Sequence, residues 1–207
     1  MARYDLSDFE WSAIDAVLPR KSRGVPRVDD RRVLNGIFRV LRSGAPWADL
    51  PERYGPYTTC YNRFRRWTKA GIRDRIMDAV TDANGLPIRL AITSGETHDA
   101  VPAQELLSGL QKGQLILADR AYDAGWIRRQ IEEQGATPNI PSKANRKWKA
   151  CFSAVLYKDR NLVERFFNKL KCCRRIATRY DKLGSTFMAM IKLASIRIWL
   201  RTYETAA

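Results

Sequence analysis

The sequence is poor in cysteine and has no cysteine arrangement typical of a metal site or a disulfide framework. Four of the 207 residues are cysteines, Cys60, Cys151, Cys172 and Cys173, and no two of them are separated by two residues. Adjacent cysteines such as Cys172 and Cys173 rarely form a bridge. We therefore expect reduced thiols and neither a zinc knuckle nor a structural disulfide.

Long apolar runs are also missing. The longest ones, such as Leu115–Ala118, are far shorter than the roughly 20 residues that a membrane-spanning helix needs. The N-terminal residues Met-Ala-Arg-Tyr-Asp contain no apolar signal-peptide core. With 45% hydrophobic residues the chain can still build a core. We expect a folded, soluble, cytoplasmic protein that does not engage a membrane.

Positive charge, by contrast, is abundant and unevenly distributed. There are 37 Lys and Arg residues, 22 Asp and Glu residues and one His, which leaves a net charge of +15. Residues 1–80 carry a net +6, residues 81–140 carry −3 and residues 141–207 carry +12. A protein that binds a polyanion concentrates basic side chains where the phosphates lie. Because no basic amphipathic helix with a membrane-type face stands out, nucleic acid is the favoured partner.

Residues 1–80 are predicted to form a helical module. Ser7 and Glu10 have the spacing of a capping box that starts a helix over Asp8–Leu18. A second helix is expected from Asp29 or Asp30 to Arg42 and a third over Tyr57–Ala70. Ile72–Val80 is expected to form a fourth. The apolar stripe of the second helix consists of Val33, Leu34, Ile37, Phe38 and Leu41.

The third helix carries the residues expected to contact DNA. A helix, a proline-bounded turn and a basic helix follow one another, as in a helix-turn-helix DNA-binding motif. A solvated basic face on an ordinary helical bundle is the alternative. The polar and basic residues concerned are Tyr61, Asn62, Arg63, Arg65, Arg66 and Lys69.

Residues 81–207 are predicted to form an α/β domain. Asn84-Gly85 indicates a hairpin, but only Val80–Ala83 is left to form its upstream strand. Strands and helices alternate after the hairpin, which favours a layered sheet. The expected strands are Leu86–Thr93, Gln114–Asp119 and Thr137–Ile140, and the expected helices are Ala100–Leu110, Asp123–Gln134, Asp159–Arg175 and Thr186–Tyr203.

Two features of this domain indicate chemistry. Asp119 follows the apolar run Leu115–Ala118, where open α/β sheets place functional groups; capping of the next turn is the alternative. Tyr157, Arg160, Glu164 and Lys171 fall within about 60° on one helix. A carboxylate between two cations at the edge of the core suits a metal ligand beside phosphates; an Arg160–Glu164 ion pair on a solvated helix is the alternative. The neighbouring face, expected to be buried, consists of Leu162, Val163, Phe166, Phe167 and Leu170.

These residues carry a family resemblance. Tyr157-x2-Arg160-x3-Glu164-x6-Lys171 resembles the Y-R-E-K signature of DDE transposases of bacterial insertion sequences, and Asp119 resembles their second catalytic Asp. The insertion-sequence-five family in particular is similar over Asn84–Leu90, Gly95–Asp99 and Asn161–Tyr180. The N-terminal segment resembles the helical DNA-binding module of that family.

The resemblance implies an RNase H-like fold in which three carboxylates hold two Mg²⁺ or Mn²⁺ ions. Asp119 and Glu164 would be metal ligands, Arg160 and Lys171 would contact phosphates, and Tyr157 would position the helix or stack on DNA. The partner would be double-stranded DNA at the terminal inverted repeats of the element, in the bacterial nucleoid. Whether the chain forms a homodimer stays open. By the same resemblance Trp126 is a core residue and His98 lies near the active face.

One part of the family pattern is absent. The first catalytic Asp stands on a strand between the helical module and the hairpin, but here residues 76–80 run directly into Asn84-Gly85. Only Asp78 and Asp82 are nearby acids. The sequence therefore predicts a truncated RNase H-like domain that lacks its first strand, binds metal weakly and is impaired in strand cleavage. A non-catalytic repressor, a basic protein with an accidental motif and a chain that does not fold stably are the alternatives.

Overall fold

The computed structural model describes residues 4–18, 29–69, 86, 89–90, 103–178, 180–181 and 183–205. Its contacts divide the chain into a first unit, residues 1–88 with 166–207, and a second unit, residues 89–165. The predicted boundary after residue 80, the fourth helix and the Asn84-Gly85 hairpin lie outside the described residues, as do most of the strand predicted to follow the hairpin, Asp78, Asp82 and His98.

The first unit begins with the helices α1 (Asp8–Asp15), α2 (Asp30–Ser43) and α3 (Tyr57–Lys69). Ser7 Oγ accepts a hydrogen bond from the Glu10 N–H at 3.1 Å, and Glu10 Oε2 accepts one from the Ser7 N–H at 2.9 Å, which confirms the predicted capping box. Asp29 caps α2 by accepting from the Arg31 N–H at 2.9 Å. α2 ends at Gly44, whose φ of 71° is in the left-handed region that glycine adopts without strain.

The connection between α2 and α3 contains two short 3₁₀ helices, Trp47–Asp49 and Glu52–Tyr54. It runs from Gly44 to Pro56, which is longer than the three- or four-residue turn typical of a helix-turn-helix. The predicted apolar stripe of α2 is buried throughout, so this helix supplies much of the core of the first unit.

C-terminal helices complete the first unit. α8 (Arg174–Ala177) packs on α2, and the long helix α9 (Gly184–Glu204) packs on α1 and α2. Trp199 on α9 and Phe38 on α2 are among the largest fully buried side chains. This segment falls within the α/β domain predicted over residues 81–207, and its contacts are with the N-terminal helices. No helix among the described residues is both long and apolar enough to cross a membrane.

The second unit contains a β-α-β arrangement, which confirms a mixed α/β fold. β1 (Leu115–Leu117) pairs in parallel with β2 (Thr137–Asn139), and Leu115 lies opposite Thr137 in the register. α5 (Gly125–Glu133) forms the crossover that parallel strands need. α4 (Ala103–Leu106) lies within the helix predicted over Ala100–Leu110, but residues 107–110 are not helical, so the helix ends earlier than predicted. The small core consists of Ala103, Ile127, Ile131, Ala136 and Ile140.

A buried carboxylate anchors the loop after β2. Asp123 accepts from Arg128 Nε at 2.8 Å and from the Lys143 N–H at 2.7 Å, and Arg146 Nε lies 3.3 Å away. Burial acts to raise the pKa of Asp123, but these hydrogen bonds and the two guanidinium groups hold the pKa below its usual value. The loop thereby gains a charge-assisted attachment to the start of α5.

Two predictions for the second half of the chain are wrong. Trp126 is 45% exposed on α5 and is not a core residue. The helix predicted over Asp159–Arg175 is divided into a 3₁₀ turn (Lys158–Arg160), α7 (Asn161–Lys171) and α8, and the short helix α6 (Ala154–Tyr157) precedes it. The break after α7 directs Arg175 toward Asp181, whose Oδ2 lies 2.8 Å from Arg175 Nε, a tertiary ion pair that helical periodicity does not reveal.

Candidate metal and nucleic-acid sites

Asp119 stands two residues after the end of β1 and is half-buried. Its Oδ1 accepts a hydrogen bond from the Ala121 N–H at 2.9 Å and caps the 3₁₀ turn Arg120–Tyr122. The capping role that the sequence left open is therefore real. The cap engages one carboxylate oxygen of Asp119, and the other oxygen has no hydrogen-bond partner among the described residues.

Tyr157, Arg160 and Glu164 come together in space. The Arg160 guanidinium lies 5.5 Å from the centre of the Tyr157 ring, and its Nη2 is 2.5 Å from Glu164 Oε1. These contacts span the 3₁₀ turn, so the three residues stay neighbours although the helix is not uniform. Lys171, at the end of α7, is exposed and contacts none of the three within the described part of the chain.

The surroundings of Glu164 differ from the prediction. Its side chain is 53% exposed and lies in solvent rather than at the edge of a core. Phe166 and Leu170 are buried as expected, but Leu162, Val163 and Phe167 are 40%, 47% and 50% exposed. Helical periodicity identified an apolar face correctly. Burial of that face requires a covering element, and the described residues supply one only for part of it.

The segment that carries Tyr157 is attached to the sheet by a reciprocal pair of hydrogen bonds. Asn139, the last residue of β2, donates through Nδ2 to the Ser153 carbonyl at 3.0 Å and accepts through Oδ1 from the Ser153 N–H at 2.7 Å. Ser153 is also the N-cap residue of α6. The short helix α6, which ends at Tyr157, is thus positioned by the end of a strand.

The described residues do not form a complete divalent-metal centre. They contain no group of three or more His, Cys, Asp or Glu side chains that could hold an ion. Asp119 caps a turn, and Glu164 is paired with Arg160. Among the described residues these two carboxylates have no third ligand of the kind that a DDE site requires, so no catalytic step follows from them.

The basic residues of α3 differ in their exposure and in their contacts. Arg63 is buried, forms an ion pair with Asp30 and lies 5.5 Å from the Trp67 ring centre, so it holds α3 against α2. Arg65 is half-buried and donates to Thr186 Oγ1 at 3.3 Å. Arg66 is exposed, and Lys69 lies in the last turn of the helix.

Aromatic side chains accompany the exposed residues of α3. Tyr57 and Tyr61 are both exposed, and Trp47 packs edge-on against Tyr61 at 5.5 Å between ring centres. Asn62 and Arg66 are exposed as well, so α3 presents aromatic, amide and guanidinium groups to solvent, the kinds of side chain that contact DNA backbones and bases. Sequence reasoning missed Tyr57; its spacing of four residues from Tyr61 could have revealed it.

Two family profiles match the chain. The one described as "Transposase DDE domain" covers residues 55–199, and the one described as "Putative transposase of IS4/5 family" covers residues 6–77. Together they span both the helical segment and the segment with Asp119 and Glu164.

Curated relatives agree with these profiles. The putative transposase for insertion sequence element IS6501 of Brucella ovis is 43% identical over 126 residues, which are 60% of this chain and 97% of that protein. The putative transposase for insertion sequence element IS402 of Burkholderia cepacia is 30% identical over 183 residues, 83% of this chain and 82% of that protein. No solved structure gives a significant match.

Proposed function

The chain belongs to the DDE transposases of insertion sequences, and we propose that it binds the ends of its element but is impaired in DNA strand cleavage. The observation that carries this proposal is that both carboxylates expected to bind metal have partners within the protein. Asp119 and Glu164 are each engaged within the protein, and the described residues bring no third ligand to either of them.

The architecture we propose is a helical DNA-binding module over residues 1–80 and a truncated RNase H-like domain over residues 81–207. The β-α-β unit with Asp119 just after β1 supports the second assignment. The exposed apolar residues of α7, Leu162, Val163 and Phe167, are consistent with a domain that has lost a covering strand.

DNA contact is proposed for two surfaces. On α3 the exposed Arg66, with Arg65 and Lys69, approaches the phosphates, and Tyr61 lies beside them. Arg63 acts indirectly by holding α3 in place through Asp30.

The second surface lies on the segment from α6 to α7. There Arg160 and Lys171 are proposed to contact DNA, and Tyr157 orients the Arg160 guanidinium. The partner is duplex DNA at the terminal inverted repeats. We propose that Mg²⁺ or Mn²⁺ is held only weakly by Asp119 and Glu164. Asp78 and Asp82 are the acids that stand in the sequence next to the place of the family's first catalytic Asp.

A nicking and strand-transfer assay on duplex DNA carrying the element's ends tests the proposal. With Mg²⁺ or Mn²⁺ we expect end binding and little or no cleavage, because a two-metal site depends on a carboxylate shared by both ions. Robust cleavage that disappears in Asp119→Ala or Glu164→Ala would show a complete metal site and overturn the proposal that strand cleavage is impaired.

A second candidate function is a repressor that competes for the element's ends. The exposed α3 surface favours it, because that surface does not depend on Asp119 or Glu164. A repressor would bind the ends with a steep salt dependence, and Asp119→Ala would leave that binding unchanged. Inhibition of an active transposase by added Asp119→Ala protein would identify this function.

A further inference from the structure

The first unit contains a basic cavity that neither the motif nor the α3 surface uses. It has a volume of about 350 Å³ and lies among α2, the end of α7 and α9. A second cavity of about 390 Å³ shares Arg42, Lys169, Ile198 and Arg201 with it, so the two lie side by side. This combined space, here called the basic cavity, is within the size range of small-molecule pockets, roughly 300–1,000 Å³.

The cations of the basic cavity are only partly neutralised. Arg197 is fully engaged: it contacts Glu10 and donates to the carbonyls of Tyr4 and Asp5 at 2.6 and 2.7 Å. Arg201 is 58% exposed and uses only its Nε on Glu10, at 3.2 Å.

Two further cations line the cavity without any acidic neighbour. Arg42 and Lys169 are exposed, and neither has a carboxylate partner among the described residues. Four cations thus line the cavity, and two of them, Arg197 and Arg201, share the carboxylate of Glu10. Burial lowers the pKa of Arg197, and the Glu10 carboxylate opposes that shift, so Arg197 is already compensated and the other three cations are the ones available to a ligand.

An apolar wall faces these cations. Phe38, Leu41 and Ala194 are at most 3% exposed, and the Arg197 guanidinium lies 4.8 Å from the centre of the Phe38 ring. Ile198 is half-buried and lines both cavities, so it is an apolar side chain that a ligand can reach. Such a surface suits the sugar or base of a nucleotide, whereas a simple inorganic anion would leave it unused.

We propose that the basic cavity binds one nucleotide, with the phosphate on Arg42, Lys169 and Arg201 and the sugar or base against Ile198. The nucleotide comes either from a DNA strand or from the free pool. A DNA source rests on the proposed function, whereas binding of a free nucleotide does not.

The test measures binding of dAMP to the full chain by calorimetry, with inorganic phosphate and deoxyadenosine as comparison probes. We expect dAMP to bind more tightly than either probe, because only dAMP uses both the cations and the apolar wall. Lys169→Met and Arg42→Gln should each weaken dAMP binding about tenfold, the effect of losing one charge-assisted contact.

Arg165→Gln is the matched control. Like Lys169, Arg165 is an exposed basic residue on α7, but it does not line the cavity. Its dAMP affinity should equal that of the wild type. Thermal melts with and without dAMP give a second readout: the ligand should raise the Tm of the wild type and of Arg165→Gln, and less so that of Lys169→Met.

Competition distinguishes the sources. Displacement of dAMP by a 5′-phosphorylated single strand or by duplex end DNA supports a DNA nucleotide, whereas retention of dAMP supports a free one. Absence of dAMP binding, or equal affinities in Lys169→Met, Arg42→Gln and Arg165→Gln, would overturn the inference. If the wild type binds dAMP but no end DNA, the proposed function fails and the nucleotide site stands.

Discussion

Glu10 and Arg197 are 187 positions apart in the chain, yet Oε1 of the carboxylate lies 3.2 Å from Nε of the guanidinium. The same carboxylate accepts from the Ser7 N–H and contacts Arg201. Glu10 therefore closes the capping box of α1 and joins α1 to α9. Because both its side chain and that of Arg197 are buried, the pair is in a low-dielectric environment where loss of one member leaves the other unbalanced.

Substitution of Glu10 by Gln should lower the free energy of unfolding of the first unit by about 3 kcal/mol, because a buried Arg197 is left without its charge partner. Chemical denaturation followed by circular dichroism measures the change. Glu52→Gln is the control, since the side chain of Glu52 is exposed. A loss no larger than in this control would show that the pair contributes little.

Asp123 predicts a pH dependence of stability. Its folded-state pKa is lowered, so its carboxylate stabilises the fold above the unfolded-state pKa of about 3.9, and that stabilisation disappears as the pH falls through the folded-state value. Asp123→Asn should therefore be markedly less stable than the wild type at pH 7, and the two should converge in acid. Urea titrations at pH 7, 5, 4 and 3 test this; a constant difference would contradict it.

Arg63 and Arg66 should separate stability from DNA binding. Arg63→Gln is expected to destabilise the first unit by about 3 kcal/mol because Asp30 loses a buried partner. Arg66→Gln should leave the Tm unchanged and weaken end binding, because Arg66 is exposed. Melting curves and fluorescence anisotropy on the same proteins give both values. Unchanged stability in Arg63→Gln, with weaker binding, would assign Arg63 to the DNA surface instead.

Arg160 and Lys171 should act on duplex ends as phosphate contacts. Arg160→Gln and Lys171→Gln are each expected to weaken binding and to reduce the slope of log affinity against log salt by about 1. Arg165→Gln, on the same helix, is the control. Lys169 is unsuitable for that purpose because it lines the basic cavity. Equal slopes in all three variants would mean that the motif match carries no DNA contact.

Local signals accounted for much of the fold. The Ser7–Glu10 capping box, the buried stripe of α2 and the β-α-β order were predicted and are present, because each depends on residues close in sequence. The exposed Trp126 and the division of the helix predicted over Asp159–Arg175 were not foreseen. Both depend on which tertiary partner is available, and periodicity does not contain that information.

The sequence by itself determined the sign and quantity of charge, the family and the order of the motif residues. Tertiary structure decided which charges are free to act: it paired Arg63 with Asp30 and Glu164 with Arg160, and it left Arg42 and Lys169 beside a shared cavity without a carboxylate partner among the described residues. The physical reason is that charge is a property of each residue, whereas pairing and desolvation are properties of its neighbours in space.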